Sequence, residues 1–343
     1  MSLSHKRYLQ YLPHALKIFG IAILCLIGVA FVAIIALSIG RYHIPIAEVC
    51  ATLLGNGSEE QENIIFSFRL PRVILALVAG MGLSVSGCAF QSIFRNPLAT
   101  PDILGVTSGA SFGAVLALLL GLGTVFVGLF GLVFGLCALA LVWGIAYDRN
   151  TPYSTITMIL SGIIISALFQ SLISLVKYVS DPQDTLPTIT YWLLGSLESS
   201  FDMPYFAGVA GICAGSLVVY ALSWKLNLLA LSDDEARTLG VPLWRLRAVL
   251  IFACTLVVAC GVSLCGIIGW VGLLVPHIAR LLVGSETSKL VPLSAVLGAI
   301  FVCALDTISR SISSEQIPIS ILTALLGAPF FIYILWKNKG MRL

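Results

Sequence analysis

Ten apolar runs, each about long enough to cross a lipid bilayer, run the length of this 343-residue chain and leave it few folds to choose from. A hydrocarbon core of about 30 Å asks for about 20 apolar residues per helix. The runs fall at roughly 15–40, 70–94, 103–121, 124–147, 153–177, 203–224, 246–267, 269–284, 290–306 and 318–336. With 59% hydrophobic and 10% charged residues and a mean hydropathy of +1.03, the chain reads as an all-α polytopic membrane protein. About ten transmembrane helices in a single domain over 1–343 are expected. The seventh and eighth runs are dense with Gly261, Gly266, Gly269, Gly272 and Pro276. One of the two is therefore expected to be short or broken, with its irregular backbone buried in protein or lining a cavity.

Charge sets the orientation. If both termini face the cytoplasm, that side holds 14 of the 19 Lys and Arg, while the other side holds Arg41, Arg69, Arg72, Lys177 and Arg310 and 10 of the 16 acids. This is the positive-inside pattern, and an even number of spans agrees with it. The nine cysteines lie mostly within apolar runs without C-x-x-C spacing, as small buried hydrophobes do. The four histidines are scattered singly, so no metal site is expected.

One stretch breaks the apolar monotony. Lys225 to Arg247, between the sixth and seventh runs, carries seven charged residues in 23. Within it Asp233, Asp234, Glu235, Ala236, Arg237, Thr238 and Leu239 can form a short helix with Ser232 as N-cap and acids in the first turn. Gly240 is placed to end that helix, and Pro242 to keep it from continuing. It reads either as a docking surface or as an ordinary solvated loop. The segment 41–68, with Gly55-Asn56-Gly57, is the expected place for an exposed loop on the opposite side.

Small and polar residues mark helix faces. Gly80, Ser84, Gly87 and Gln91 share one face of the second span, and Gly105, Gly109 and Gly113 form a doubled G-x-x-x-G face on the third. Such faces let helix backbones approach closely. Ser166, Gln170 and Ser174 stripe the fifth span, which should turn that face to a cavity or another helix rather than lipid. The hydroxyl-rich start of that span, with Ser154 and Thr155, suits a gate lining or a polar cap. Arg69, Arg72 and Arg310 run against the charge bias on the outer side. They suit either snorkelling to lipid phosphates or pairing with carboxylates of an outside partner. His277 and Arg280 lie one helical turn apart at the opposite surface, as an interfacial anchor would.

Absences narrow the class. No G-x-x-x-x-G-K-[ST] occurs, so this chain holds no P-loop for ATP. Ionisable residues at membrane depth, which an ion-coupled transporter needs, are almost lacking from the runs. No filter or ring of charge suggests a channel.

Taken together, RLPR (69–72), G-x-x-L-x-x-S-G (80–87), Gln91, RNPLATPDILGVTSGA (95–110), YWLLGSL (191–197), DDEARTLGV (233–241), GIIGWVGLLVPHIARLLVG (266–284), LDTISR (305–310) and IPIS (317–320) with LTALLGAPFF (322–331) resemble the FecCD family. These are permease subunits of ATP-binding cassette importers for iron–siderophores, haem and cobalamin. The resemblance implies a cobalamin-importer-permease-like fold in the cytoplasmic (inner) membrane and two permease copies, here suiting a homodimer. It also implies two cytoplasmic ATPases that use ATP and magnesium, and an extracytoplasmic substrate-binding protein. No enzyme activity, cofactor or nucleic-acid partner is expected of the permease itself.

By position, 233–240 is similar to the segment that docks on the ATPase. Arg69, Arg72 and Arg310 look like the arginines that meet the binding protein. The fifth span and Ser154 and Thr155 look like pathway and gate. Ser320 and Ser232 stand where the family often has glycine. The expected cargo is a metal chelate, foremost iron(III)–siderophore. The alternatives are the same fold carrying molybdate or tungstate, and an ion-coupled secondary transporter.

Overall fold

A computed structural model describes Gly20 and residues 23–147, 154–229, 231, 235, 242–312 and 316–340. Among these the chain is helical, with no strand. The helices in order are α1 (Ile23–Ser38), α2 (Ile46–Leu53), α3 (Glu59–Ile93), α4 (Val106–Leu119), α5 (Thr124–Ala146), α6 (Thr155–Val179) and α7 (Thr185–Leu193). They continue as α8 (Met203–Ala221), α9 (Ser223–Leu229), α10 (Leu243–Cys265), α11 (Val271–Val283), α12 (Thr287–Ile312) and α13 (Ile319–Gly340). Helices α3, α5, α6, α8, α10 and α12 are long and apolar enough to cross a membrane, and α1, α4, α11 and Ile319–Ile334 are shorter apolar helices. Each of the ten apolar runs thus becomes one apolar helix.

Helix α3 is the central post. It packs on α8, α10, α11 and α12, and its last 24 residues are buried over most of their length. Close crossings make this possible. A Cβ on Gly80 would lie 2.1 Å from the Gly298 carbonyl oxygen on α12, and one on Gly87 would lie 1.9 Å from that of Gly272 on α11. Along α4, Gly109 and Gly113 sit against the backbone of α5 at Phe134 and Phe130. In contrast α5, α6 and α8 keep long exposed apolar faces suited to lipid or a further subunit. Two apolar cores stack along the post. One gathers Ile44, Ile65, Leu75, Leu197 and Val302, and the other Phe90, Leu104, Leu226, Leu250 and Ile251.

Segment 41–68 is more ordered than an exposed loop. Ser58 and Gln61 form a reciprocal capping box that starts α3, satisfying backbone donors that a helix start leaves open. Gln61 Nε2 donates to Glu48 Oε2 at 2.6 Å, tying α2 to that start. Val49 and Ile65 are fully buried beneath.

The glycine-rich run resolves into a full-length α10, an irregular stretch at 266–270 and the short α11. Gly266 (φ +67) and Trp270 (φ +70) both adopt left-handed backbone there. The YWLLGSL segment packs against this break: Ser196 N donates to Cys265 O at 2.9 Å, and Ile319 N to Gly195 O at 3.3 Å. Ser320 donates Oγ to Leu194 O at 2.6 Å. The hydroxyl therefore satisfies a carbonyl that lies outside regular helix.

Candidate functional site

Three features converge on function, at two ends of the bundle and on one face. The first is an arginine clasp. A π-helical turn, Asn63–Arg69, leads into the regular part of α3, and π-turns often mark functional positions. Arg69 ends that turn, Arg72 lies one turn on, and Arg310 lies in the last turn of α12. All three are under a tenth exposed, as is Asp306 at 2%. Arg72 Nε and Nη2 grip Asp306 at 2.9 and 2.7 Å, and Arg72 Nη1 donates to Gln316 Oε1 at 2.5 Å. Arg310 Nε stands 3.8 Å from the other Asp306 oxygen. Arg310 Nη2 donates to Ala36 O, while Arg69 donates to Leu37 O, Ser38 O and Tyr42 O. The guanidinium groups therefore tie the ends of α1, α3 and α12 together. Neither lipid phosphate nor an outside acid is needed to account for their burial, because carbonyls and one carboxylate already meet them.

The second feature is the face of α6. Ser154 caps the helix by accepting from Thr157 N at 3.3 Å, and Thr155 is its first residue. Ser166 packs by Gly105, whose φ is +72. Gln170 Nε2 donates to Ser108 Oγ at 3.3 Å, and Ser174 Oγ donates to Gln170 O at 2.9 Å. Ser166 is half-buried against Gly105 and Gln170 reaches Ser108, while Gln170, Ser171 and Ser174 are exposed, so the stripe runs along the edge where α6 meets α4.

Asp102 joins that neighbourhood unexpectedly. After α3 ends, the chain turns back inward, and the Pro101 ring lies beside Gly272 and the Leu83 carbonyl. Leu83 is ten residues before the end of α3, about 15 Å at 1.5 Å per residue. Pro101, and Asp102 next to it, thus lie inward of the end of α3 rather than at its tip. Asp102 is exposed, accepts from Thr107 Oγ1, and shares a crevice with Thr100, Trp270 and Gly272. Nothing local in the sequence marks this depth, because it depends on where Gly272 lets the proline seat.

The third feature is the frame of the charged stretch. Asp233, Asp234, Ala236, Arg237, Thr238, Leu239 and Gly240 lie outside the described residues, and Glu235 is helical and exposed. The chain leading into the stretch is tied down. Arg95 Nε donates to Leu229 O at 2.8 Å, Asn227 Oδ1 accepts from Thr287 N at 2.9 Å, and Thr287 Oγ1 donates to Ser223 O at 2.6 Å. Helix α9 is therefore fastened to the end of α3 and the start of α12.

A helical bundle with six membrane-length apolar helices, a buried polar clasp at one end and a charged insert at the other defines a multi-pass membrane permease. The chain belongs to the FecCD transport family, whose profile matches residues 26–337. It is 42% identical over 330 residues to the molybdate import system permease MolB of Haemophilus influenzae, covering 94% of this chain and 96% of that one. It is 35% identical over 334 residues to a Helicobacter pylori permease assigned to an iron chelatin transport system, covering 95% and 100%. A solved inward-facing ABC transporter, assigned by its description to the metal-chelate type, superposes with a TM-score of 0.83 at 40% identity, over 93% of this chain and 98% of that one. The fold and family make this chain an ABC importer permease, a transport subunit.

Proposed function

We propose that this permease moves a metal chelate, foremost an iron(III)–siderophore, across the cytoplasmic membrane, with both termini inside. Two copies would form the pathway between their α6 faces, with Ser166, Gln170 and Ser174 along it and Ser154 and Thr155 at its gate. Two separate ATPases would supply the energy by docking at 233–240. The observation that carries this reading is the run of exposed Gln170 and Ser174 on α6, in a chain that superposes on a transporter assigned to the metal-chelate type. Apolar surface interleaved with hydroxyls and amides suits a bulky chelate.

An extracytoplasmic binding protein would dock over Arg69, Arg72 and Arg310. The burial of these residues gives docking a mechanism. An acid on the partner can reach them only by competing with Asp306 and the carbonyls of α1, so docking and loosening of the clasp are coupled. Each partner shifts the inward–outward equilibrium only by its differential affinity for the two states.

Molybdate is the second reading, favoured by the 42% identity to MolB. The test is uptake by proteoliposomes holding the permease with its ATPase and binding protein. ATP-dependent accumulation of ferric siderophore without molybdate supports the chelate reading, and the reverse replaces it. Uptake driven by an ion gradient with no ATPase present removes both.

A further inference from the structure

Gln91 lies in the last turn of α3 and is 4% exposed. Arg280 Nη2 donates to its Oε1 at 2.7 Å. A guanidinium carries only donors, so the amide must turn its oxygen toward Arg280 and its NH2 away. The outcome is a pair of buried N–H donors without acceptors, on Gln91 and Arg280, with a further unpartnered nitrogen on His277. Gln91 Nε2, Arg280 Nη1 and His277 Nδ1 are each shielded from solvent and lack a hydrogen-bond partner among the described residues. Arg280 has no carboxylate partner there either. His277 stands one turn before Arg280 on the same face of α11. Its ring lies against Phe330 and Phe331, with centroids 6.2 and 5.6 Å away, which confines the imidazole.

Buried donors left unpaired are costly, and more so when one belongs to a permanent cation. A single ligand rich in oxygens and free of protons answers the Gln91 and Arg280 donors at once, with His277 one turn away on α11. Arg280 and His277 are only partly buried, so such a ligand has a way in. We propose that Gln91, His277 and Arg280 form a binding site for a tetrahedral oxyanion, at the end of the bundle that carries the charged stretch 225–247. The amide and guanidinium lie side by side through their mutual hydrogen bond and offer adjacent N–H groups. The imidazole adds a third through its Nδ1–H tautomer. The ligand is either a free anion of the phosphate type or the phosphate of a lipid headgroup, both presenting the same oxygens. This site stands apart from the cargo reading, because it lies away from the α6 stripe and needs no transport to detect.

The test is thermal unfolding of the full chain, purified in an uncharged detergent and stripped of lipid. Inorganic phosphate, molybdate and phosphatidylglycerol are titrated against chloride of equal ionic strength. A saturable rise in the unfolding midpoint is expected, and it should vanish in Arg280→Gln. Gln91→Glu should start from a higher midpoint and show no further rise, because its carboxylate keeps the Arg280 bond and supplies the missing acceptor from within. If one variant does not fold, the other carries the comparison. A response to inorganic oxyanion assigns the site to a free anion, and one to phosphatidylglycerol alone assigns it to a headgroup. No saturable rise with any probe, or an equal rise in a folded variant, overturns the proposal.

Discussion

Asp306 carries more of the structure than its position near the end of α12 suggests. It meets Arg72 from 234 residues away and Arg310 one turn on, inside a region under a tenth exposed. A buried ion pair is weak evidence for net stability, but breaking one leaves an uncompensated charge, which costs about 3–5 kcal/mol. Asp306→Asn is therefore expected to lower the unfolding midpoint sharply. Asp306→Asn with Arg72→Met removes both members of the bidentate pair and should recover part of the loss. Thermal unfolding of the two variants checks this, and equal midpoints for wild type and Asp306→Asn would leave the clasp without structural weight. The two arginine readings available from sequence, lipid anchoring and partner docking, both looked outward. The internal partner is invisible locally, since LDTISR and RLPR are far apart in the chain and neither names the other.

The helices succeed or fail by how closely they cross. Gly87→Ala places a Cβ 1.9 Å from a carbonyl oxygen of α11, and backbone cannot step aside as a flexible side chain can. Overpacking of this kind costs about 1–3 kcal/mol or more. Gly144, also in a helix, has nothing within 4 Å, so Gly144→Ala should stabilise by about 0.5–1 kcal/mol through helix propensity alone. Unfolding measurements on the pair should move in opposite directions. The glycine stripe on α3 was legible as a packing face, because period and residue size are local properties. Its partners Gly298 and Gly272 were not, because spacing on one helix does not say which neighbour it meets. The short α11 was foreshadowed by glycine density. The inward turn that carries Pro101 and Asp102 back along α3 was not, since Asn96-Pro97 marks only where α3 stops.

At the scale of the whole molecule, the exposed α6 stripe and the fastened frame of the charged stretch are the two places where a larger assembly would act. If the stripe lines an aqueous pathway between two copies, Ser174→Cys should react with a membrane-impermeant thiol reagent. Leu281→Cys, on a residue 70% exposed on the apolar side of α11, should not. Both belong in a background without the native cysteines, and mass labelling reads the result; no labelling of Ser174→Cys would place the stripe against lipid or protein rather than water. Exchanging charge with Glu235→Arg and Arg237→Glu should weaken association with the ATPase while the permease stays folded, as measured by copurification. Charge reversal at Arg69 with Arg310 should abolish the stimulation of ATP hydrolysis by the binding protein. Midpoints measured alongside would separate lost docking from a broken clasp.

Sequence alone determined the number and order of the apolar helices, the all-helical class, the break near Gly266 and the family. Each of these follows from hydrophobic run length, glycine and proline placement, and contiguous motifs, all of which act within a few turns of chain. The tertiary structure alone decided that Arg72 faces Asp306, that Arg280 faces Gln91, that the chain at Pro101 and Asp102 turns inward from the end of α3, and that the exposed segment 41–68 is helical and tied down. These depend on which helices cross and at what depth. Apolar surface is non-directional and specifies burial without specifying partner. The choice of neighbour is left to close packing at a few glycines and to polar groups that must find one another once water is gone.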